Sequence, residues 1–266
     1  MILLYLLLIA LILYVIACCL FYFFQQKVLF KQIRFAHDFP FHYDEHFEEL
    51  FWNTSDGHSL NGLLFTVDNP RGLILFMHGN SGHMGRSGNY FKRVKDLNYD
   101  VLLYDYRGYG KSTGKPTTHN FYSDALLIFD WARNKYPHIP IVIHGLSLGS
   151  HIATYVAAYR AIDLLILETP FLSLARIATY RYPLIPGKRL LRFPLDSADF
   201  LPLVTCNIQV FHGDKDTIVP LSEPLLFSHY NTNVTLTIIK NGNHKNLHEF
   251  DEYQATLEHI LKNVTN

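Results

Sequence analysis

Charge is scarce in this sequence. Asp, Glu, Lys and Arg make up 17% of its 266 residues, against about a quarter in an average soluble domain. The 23 basic residues cancel the 23 acidic ones, so no global field recruits nucleic acid or another polyanion. Cysteine is nearly absent: Cys18, Cys19 and Cys206 cannot form a disulfide framework, and their spacing is not that of a zinc site. Internal repeats and low-complexity tracts are missing too. What is abundant is apolar surface, 49% of the chain with 15% aromatic, which excludes disorder and supplies one sizeable core.

Residues 1–24 contain no charged side chain. As a helix they would extend about 35 Å, enough to cross a hydrocarbon core of about 30 Å. The start is not basic and the run is longer than a signal peptide needs, so residues 1–26 are expected to be an uncleaved anchor. Val15-Ile16-Ala17-Cys18 resembles a lipoprotein cleavage box, but Cys19, Leu20 and Phe21 continue the apolar run where a mature lipoprotein would turn polar. A buried helix is the third reading. Lys27, Lys31 and Arg34 follow the span and no Lys or Arg precedes it, which favours a cytoplasmic domain over residues 27–266.

The remainder alternates strand and helix. Strands are expected at 47–53 and 60–66, joined by Ser55-Asp56-Gly57, then at 73–77, 101–104, 141–144, 164–167, 208–211 and 234–239. Several are continuous apolar runs, as in a sheet covered on both faces. Helical periodicity falls at 88–97, 121–135, 148–159, 222–229 and 248–261. The pattern predicts an α/β fold with a mostly parallel twisted sheet of about eight strands. Residues 171–204 break the rhythm, with Pro183, Pro186, Pro194 and Pro202, and are expected to form a small cap.

Gly145-Leu146-Ser147-Leu148-Gly149 fits G-x-S-x-G between a strand and a helix, the setting of a nucleophile elbow. An ordinary β-α turn with a serine cap is the bland alternative. A serine hydroxyl needs a base and an orienting carboxylate. His244 lies in the loop between the last strand and the last helix. The loop His212-Gly213-Asp214-Lys215-Asp216 follows the preceding strand and offers two acids, of which Asp216 is preferred to Asp214. Glu168 is the remaining alternative, although an anchoring role for the cap suits it better. Oxyanion donors are expected from the Leu148 amide and, in the turn His78-Gly79-Asn80-Ser81-Gly82, from the Asn80 amide. His78 is expected to pack, and the Asn80 side chain to hold the loop.

Together with Asp105-Tyr106-Arg107-Gly108-Tyr109-Gly110-Lys111-Ser112, these motifs make residues 26–262 resemble the α/β-hydrolase superfamily. More narrowly the chain is similar to the membrane-anchored serine hydrolases of the bud-emergence type, often labelled after serine aminopeptidases. Even Phe24-Gln25-Gln26-Lys27-Val28-Leu29-Phe30 resembles that branch's segment after the anchor. The resemblance implies Asp216 as triad acid and a structural role for the Asp-Tyr-Arg-Gly-Tyr-Gly segment. Ser81 departs mildly from the small residue found in many such relatives.

Competing motifs are incomplete. Gly110-Lys111-Ser112 lacks the leading glycine of a P-loop, since Asp105 stands there, and Thr113 replaces the third glycine of a dinucleotide fingerprint. His244 and His248 fit no zinc pattern. Asn53, Asn233 and Asn263 begin N-x-S/T sequons, which matter only in a glycosylating compartment. The expectation is a serine hydrolase of carboxylic esters or thioesters, needing no cofactor or metal. It would act on a small or lipid-like acyl substrate and join the membrane through its N-terminal helix. An amidase of the same fold and a catalytically silent membrane scaffold are the alternatives.

Overall fold

The computed structural model describes residues 1–87 and 89–264. Gly88, the start of the helix expected over 88–97, lies outside the described residues. So do residues 265 and 266, the end of the expected domain, and with them Thr265 of the third sequon.

The chain opens with a 28-residue helix, α1 (Ile2–Leu29), whose most apolar stretch packs against nothing in the protein. It is long and apolar enough to cross a membrane. The helix continues three residues beyond position 26, so the domain meets it in mid-helix. Besides a two-residue parallel pair, Lys31–Gln32 with Ser81–Gly82, eight strands follow among the described residues: β1 (Phe47–Asn53), β2 (Ser59–Phe65), β3 (Gly72–Met77), β4 (Tyr99–Tyr104), β5 (Ile141–Leu146), β6 (Leu164–Glu168), β7 (Asn207–Gly213) and β8 (Val234–Ile239). They form one sheet in the order β8-β7-β6-β5-β3-β4-β2-β1. β1 pairs antiparallel with β2, and β2 with β4; every other pair is parallel.

β3, β4 and β6 are buried at every position and β5 at all but Leu146, while β1 and β8 at the edges are mostly half-buried or exposed. The pleat divides each central strand between two cores. Leu73, Leu75 and Met77 of β3 face α3 (Thr118–Lys135) and α4 (Leu148–Tyr159) with Phe121, Ile128, Ile152 and Val156. Ile74 and Phe76 face the other way, onto α2 (Asn89–Val94) and α8 (Asp251–Lys262), with Tyr90, Tyr253 and Leu257. α3 starts three residues earlier than expected because the Thr117 side chain caps it, accepting the Asn120 amide at 3.1 Å. The helix expected over 222–229 is shorter: a 3₁₀ turn at Pro224–Leu226 runs into one turn of α7 (Phe227–Tyr230), Pro224 opening the segment where its missing N–H does no harm.

Residues 171–204 hold two small helices, α5 (Leu174–Arg181) and α6 (Gly187–Leu190), and 3₁₀ turns at Ser197–Asp199 and Leu201–Leu203. A bridge between Ser173 and Asp196 draws the base of this segment together. Arg176 ties it to the body through Glu223, 2.7 Å away and itself bonded to the Leu172 amide.

Candidate active site

In a parallel sheet the loops at the carboxyl ends of the strands share one edge, and β3, β5, β7 and β8 each contribute to it. Between β5 and α4 the chain turns at Ser147, whose backbone has φ 52° and ψ −110°. A serine so placed costs on the order of 1–3 kcal/mol and persists only when its surroundings over-determine it. Here the Ser147 amide donates to the Glu168 carbonyl at 2.9 Å, and the Ser150 amide donates to the Ser147 carbonyl at 2.9 Å.

The flanking glycines, Gly145 and Gly149, permit this turn by their size. Neither takes the strained conformation; the positive φ belongs to the serine itself. They are small because the chain is crowded. A Cβ on Gly145 would strike the carbonyl of Gly149, and one on Gly149 would strike the carbonyl of Met77 at the end of β3. The contact between Gly149 and β3 holds the Ser147 turn against the loop that follows β3.

His244 reaches over from the loop after β8. Its Nε2 lies 3.1 Å from Ser147 Oγ, and its Nδ1 lies 2.7 Å from Asp216 Oδ2. The other carboxylate oxygen, Oδ1, accepts the amides of Ile218 at 2.7 Å and Val219 at 2.9 Å. Burial resists ionisation of Asp216, but the His244 contact and the two amides prevail and hold the carboxyl below its ordinary range. Buried His212 donates from Nε2 to the Val219 carbonyl at 3.0 Å, and burial lowers its own basicity. Asp214 is elsewhere: it accepts the Asn241 amide at 2.7 Å and ties the β7 loop to the β8 loop.

Glu168 stands apart from His244. Its Oε2 accepts the Tyr253 hydroxyl of α8 at 2.8 Å and lies 3.3 Å from His144 Nε2, while Tyr90 meets His144 Nδ1 at 2.8 Å. Burial raises the Glu168 carboxyl, but His144 and Tyr253 bring it below its usual range. The expected role as an anchor for the cap is therefore corrected: its partners lie in β5 and α8, beneath the cap and not in it.

The loop after β3 passes beside Ser147, with Gly79 near enough that a Cβ would lie 3.7 Å from the serine Cβ. Tyr106 donates to the His78 carbonyl at 2.8 Å and Tyr109 to the Asn80 carbonyl at 3.0 Å, so residues 105–112 brace this loop from behind. His78 is buried, 3.3 Å from Asp105 and packed on Tyr106. The Asn80 side chain donates to the Leu29 carbonyl at 2.8 Å, the last residue of α1. The Leu148 amide, first in α4, has no carbonyl in its own helix to satisfy it. The Asn80 amide makes no backbone hydrogen bond among the described residues.

A cavity of about 630 Å³ lies over Ser147 and His244. Phe21, Val28, Phe30, Phe171, Leu174 and Ile177 give it an apolar wall, and Arg93, Glu168, Lys245 and His248 a polar end. The sequence reading missed α1 as a wall of this cavity. Its one sequence signal is Gln25, a polar residue between Phe24 and the first Lys. Gln25 is 1% exposed, donates to the Leu190 carbonyl at 2.9 Å and accepts the Arg192 amide at 2.8 Å. Elsewhere, Lys111 is paired with Glu49 at 2.7 Å, which accounts for the P-loop-like lysine. His248 lines the cavity, while both ring nitrogens of His244 face Ser147 and Asp216.

Residues 68–196 match the family described as serine aminopeptidase, S33, a match that ends before Asp216 and His244. An uncharacterized protein of Mycobacterium tuberculosis is 34% identical over 179 residues, which are 65% of this chain and 64% of that protein. Lysophosphatidylserine lipase ABHD12 of Danio rerio is 31% identical over 170 residues, 56% of this chain and 44% of the lipase. This chain thus spans less than two thirds of either relative. Among solved structures, an esterase of Pyrococcus furiosus superposes with a TM-score of 0.71 at 18% identity, over 90% of this chain and 99% of the esterase. Sheet order, the Gly-flanked serine turn and the superposition on the esterase lead to one assignment: the chain has the α/β-hydrolase fold.

Proposed function

We propose that this protein is a membrane-anchored serine hydrolase that cleaves carboxylic ester or thioester bonds through an acyl-enzyme. The observation that carries the reading is the line Ser147 Oγ, His244 Nε2, His244 Nδ1, Asp216 Oδ2, with spacings of 3.1 and 2.7 Å, at the floor of the cavity. Ser147 Oγ attacks the acyl carbonyl and passes its proton to His244 Nε2. Asp216 keeps the ring in the tautomer that can accept it and stabilises the imidazolium. The amides of Asn80 and Leu148 hold the developing oxyanion. As the tetrahedral intermediate collapses, His244 returns the proton to the leaving oxygen or sulfur. Water, deprotonated by the same ring, then releases the acid.

The apolar wall favours an acyl chain, and the similarity to a lysophosphatidylserine lipase favours a lipid ester. An aminopeptidase reading is disfavoured by the cavity itself. Glu168 is the one carboxylate among its described lining residues, and that carboxylate is engaged by Tyr253 and His144, not left to meet a substrate amine. Lys27, Lys31 and Arg34 after the span favour the cytoplasmic side for the domain, and protease protection of sealed vesicles tests that side.

The decisive experiment is fluorophosphonate labelling and ester turnover of the full chain. Ser147→Ala is expected to abolish labelling and to cut turnover by about 10⁴ to 10⁶. Near-normal turnover would refute the assignment, and unlabelled wild-type protein in its folded state would favour a silent scaffold.

A further inference from the structure

The chain as a whole is neutral, but its cap is not. Between Glu168 and Asp196 stand Arg176, Arg181, Lys188, Arg189 and Arg192, with no acidic residue among them. Arg176 is neutralised by Glu223, and Arg181 donates to the Thr217 carbonyl at 3.1 Å. Lys188 and Arg189 on α6 are exposed, and the Arg192 guanidinium lies 5.7 Å above the Tyr22 ring of α1. The same segment exposes apolar bulk at its tip: Leu184 at 82%, Tyr180 at 63% and Tyr182 at 42%. An exposed apolar tip ringed by cations is the composition of a surface that settles into the headgroup region of a bilayer.

The position of that tip is set by the anchor. Gln25 latches α1 to the cap backbone at Leu190 and Arg192, and Phe21 meets Tyr182 edge-on with ring centroids 6.1 Å apart. Phe21 lies inside the apolar run that ends at Phe24, so Tyr182 meets the helix at a level roughly 5 Å, along its axis, before the last apolar residue of the span. Phe21, Tyr22, Phe23 and Phe24 on the helix and Tyr182 on the cap then bring aromatic rings to neighbouring levels, as in an interfacial belt.

We propose that this face of the cap rests on an anionic lipid leaflet around the exit of α1. Leu184 and Tyr180 enter the boundary between headgroups and acyl chains, and Lys188 and Arg189 sit on lipid phosphates. The leaflet is favoured over an acidic protein partner because the anchor, latched to the same face, brings a bilayer to this level. Phe21, Arg181 and Tyr182 border the cavity and Tyr182 is also exposed, so the cavity reaches the surface at the seam between cap and anchor. A single-chain lipid ester can therefore pass from the leaflet to Ser147 along an apolar wall. The docking stands on its own; this route rests on the hydrolase reading.

The test uses the full chain in proteoliposomes of phosphatidylcholine, with and without phosphatidylglycerol. Cys18, Cys19 and Cys206 are replaced by Ala, and a bimane fluorophore is placed at Leu184→Cys or, as a control at the opposite end of the domain, at Lys135→Cys. Spin-labelled lipid is expected to quench the probe at 184 several-fold more than the probe at 135. Phosphatidylglycerol should increase that quenching, and Lys188→Gln with Arg189→Gln should abolish the increase. Equal quenching at both sites, with the 184 probe open to aqueous iodide, would overturn the proposal and leave a protein partner as the alternative. In parallel, Leu184→Asp should lower hydrolysis of a bilayer-resident monoacyl ester about ten-fold and leave soluble p-nitrophenyl butyrate unaffected. Equal loss on both substrates would overturn the route. Wild-type protein inert to both would sink the hydrolase reading and the route together, while the quenching still decides the docking.

Discussion

Replacing Asp216 by Asn probes the proposed chemistry with almost no change of shape. The outcome follows from which way the new amide must face. Oδ1 accepts two backbone N–H groups, from Ile218 and Val219, and Oδ2 meets His244 Nδ1. An amide has one acceptor oxygen. Turning that oxygen to His244 would leave the two backbone donors facing an NH₂, at roughly 1–3 kcal/mol each, or roughly 2–6 kcal/mol together. The oxygen therefore stays with the amides, and the NH₂ points at His244. The ring answers by carrying its proton on Nε2, where it can no longer accept the Ser147 proton. The productive tautomer becomes rarer by about 30-fold to about 10⁴-fold, and the lost carboxylate charge withdraws further support from the imidazolium. We expect a fall in turnover of about 10⁴, or about 5.4 kcal/mol in the barrier, with an unchanged circular dichroism spectrum. The assay is steady-state hydrolysis of p-nitrophenyl butyrate by the full chain in detergent. If the Asp216→Asn protein keeps more than a tenth of wild-type turnover, Asp216 does not set the tautomer and the proposed triad is wrong.

Two other outcomes follow from the packing around the site. Gly149→Ala should force the nucleophile turn away from the Met77 carbonyl, at about 3 kcal/mol, and lower Tm by roughly 10 °C; unchanged Tm and full activity would refute the close approach. His151, fully buried between Tyr122 and Ser197, is held neutral by burial, its pKa lowered to about 3. The unfolded chain would bind the extra proton below about pH 6.5, so this group's stabilisation is complete above that pH. It is lost on acidification toward pH 3 at about 1.4 kcal/mol per unit, or roughly 2 kcal/mol by pH 5. His151→Gln, whose amide can bridge the same two hydroxyls, should flatten the fall of Tm between pH 7 and pH 5; an identical fall would show that the destabilising proton binds elsewhere.

Much of this was readable before any coordinates. A buried parallel strand must be apolar throughout, so 73–77, 141–144 and 164–167 declared themselves as runs. The proposed triad was suggested by order: Ser147, Asp216 and His244 each follow a strand, and strands of a parallel sheet release their loops at one edge. Helix ends were less legible, because Thr117 and Pro224 settle them through single local bonds that periodicity does not register. The partners of Glu168 were misread, since nothing near position 168 announces a tyrosine 85 residues later.

Local composition alone determined the apolar N-terminal helix, the strand–helix alternation and the serine between two glycines, since each needs only neighbours in the chain. Whatever depends on distant segments meeting was decided by the tertiary structure. Gly149 is small because Met77 is beside it, and Gln25 is buried because the backbone at 190 and 192, more than 160 residues away, accepts and donates to its amide. A one-dimensional pattern records which side chains can satisfy a polar group or leave room for a backbone. Only the packed molecule shows which group arrives, and here that difference turns the end of the apolar N-terminal helix into a wall of the cavity over Ser147.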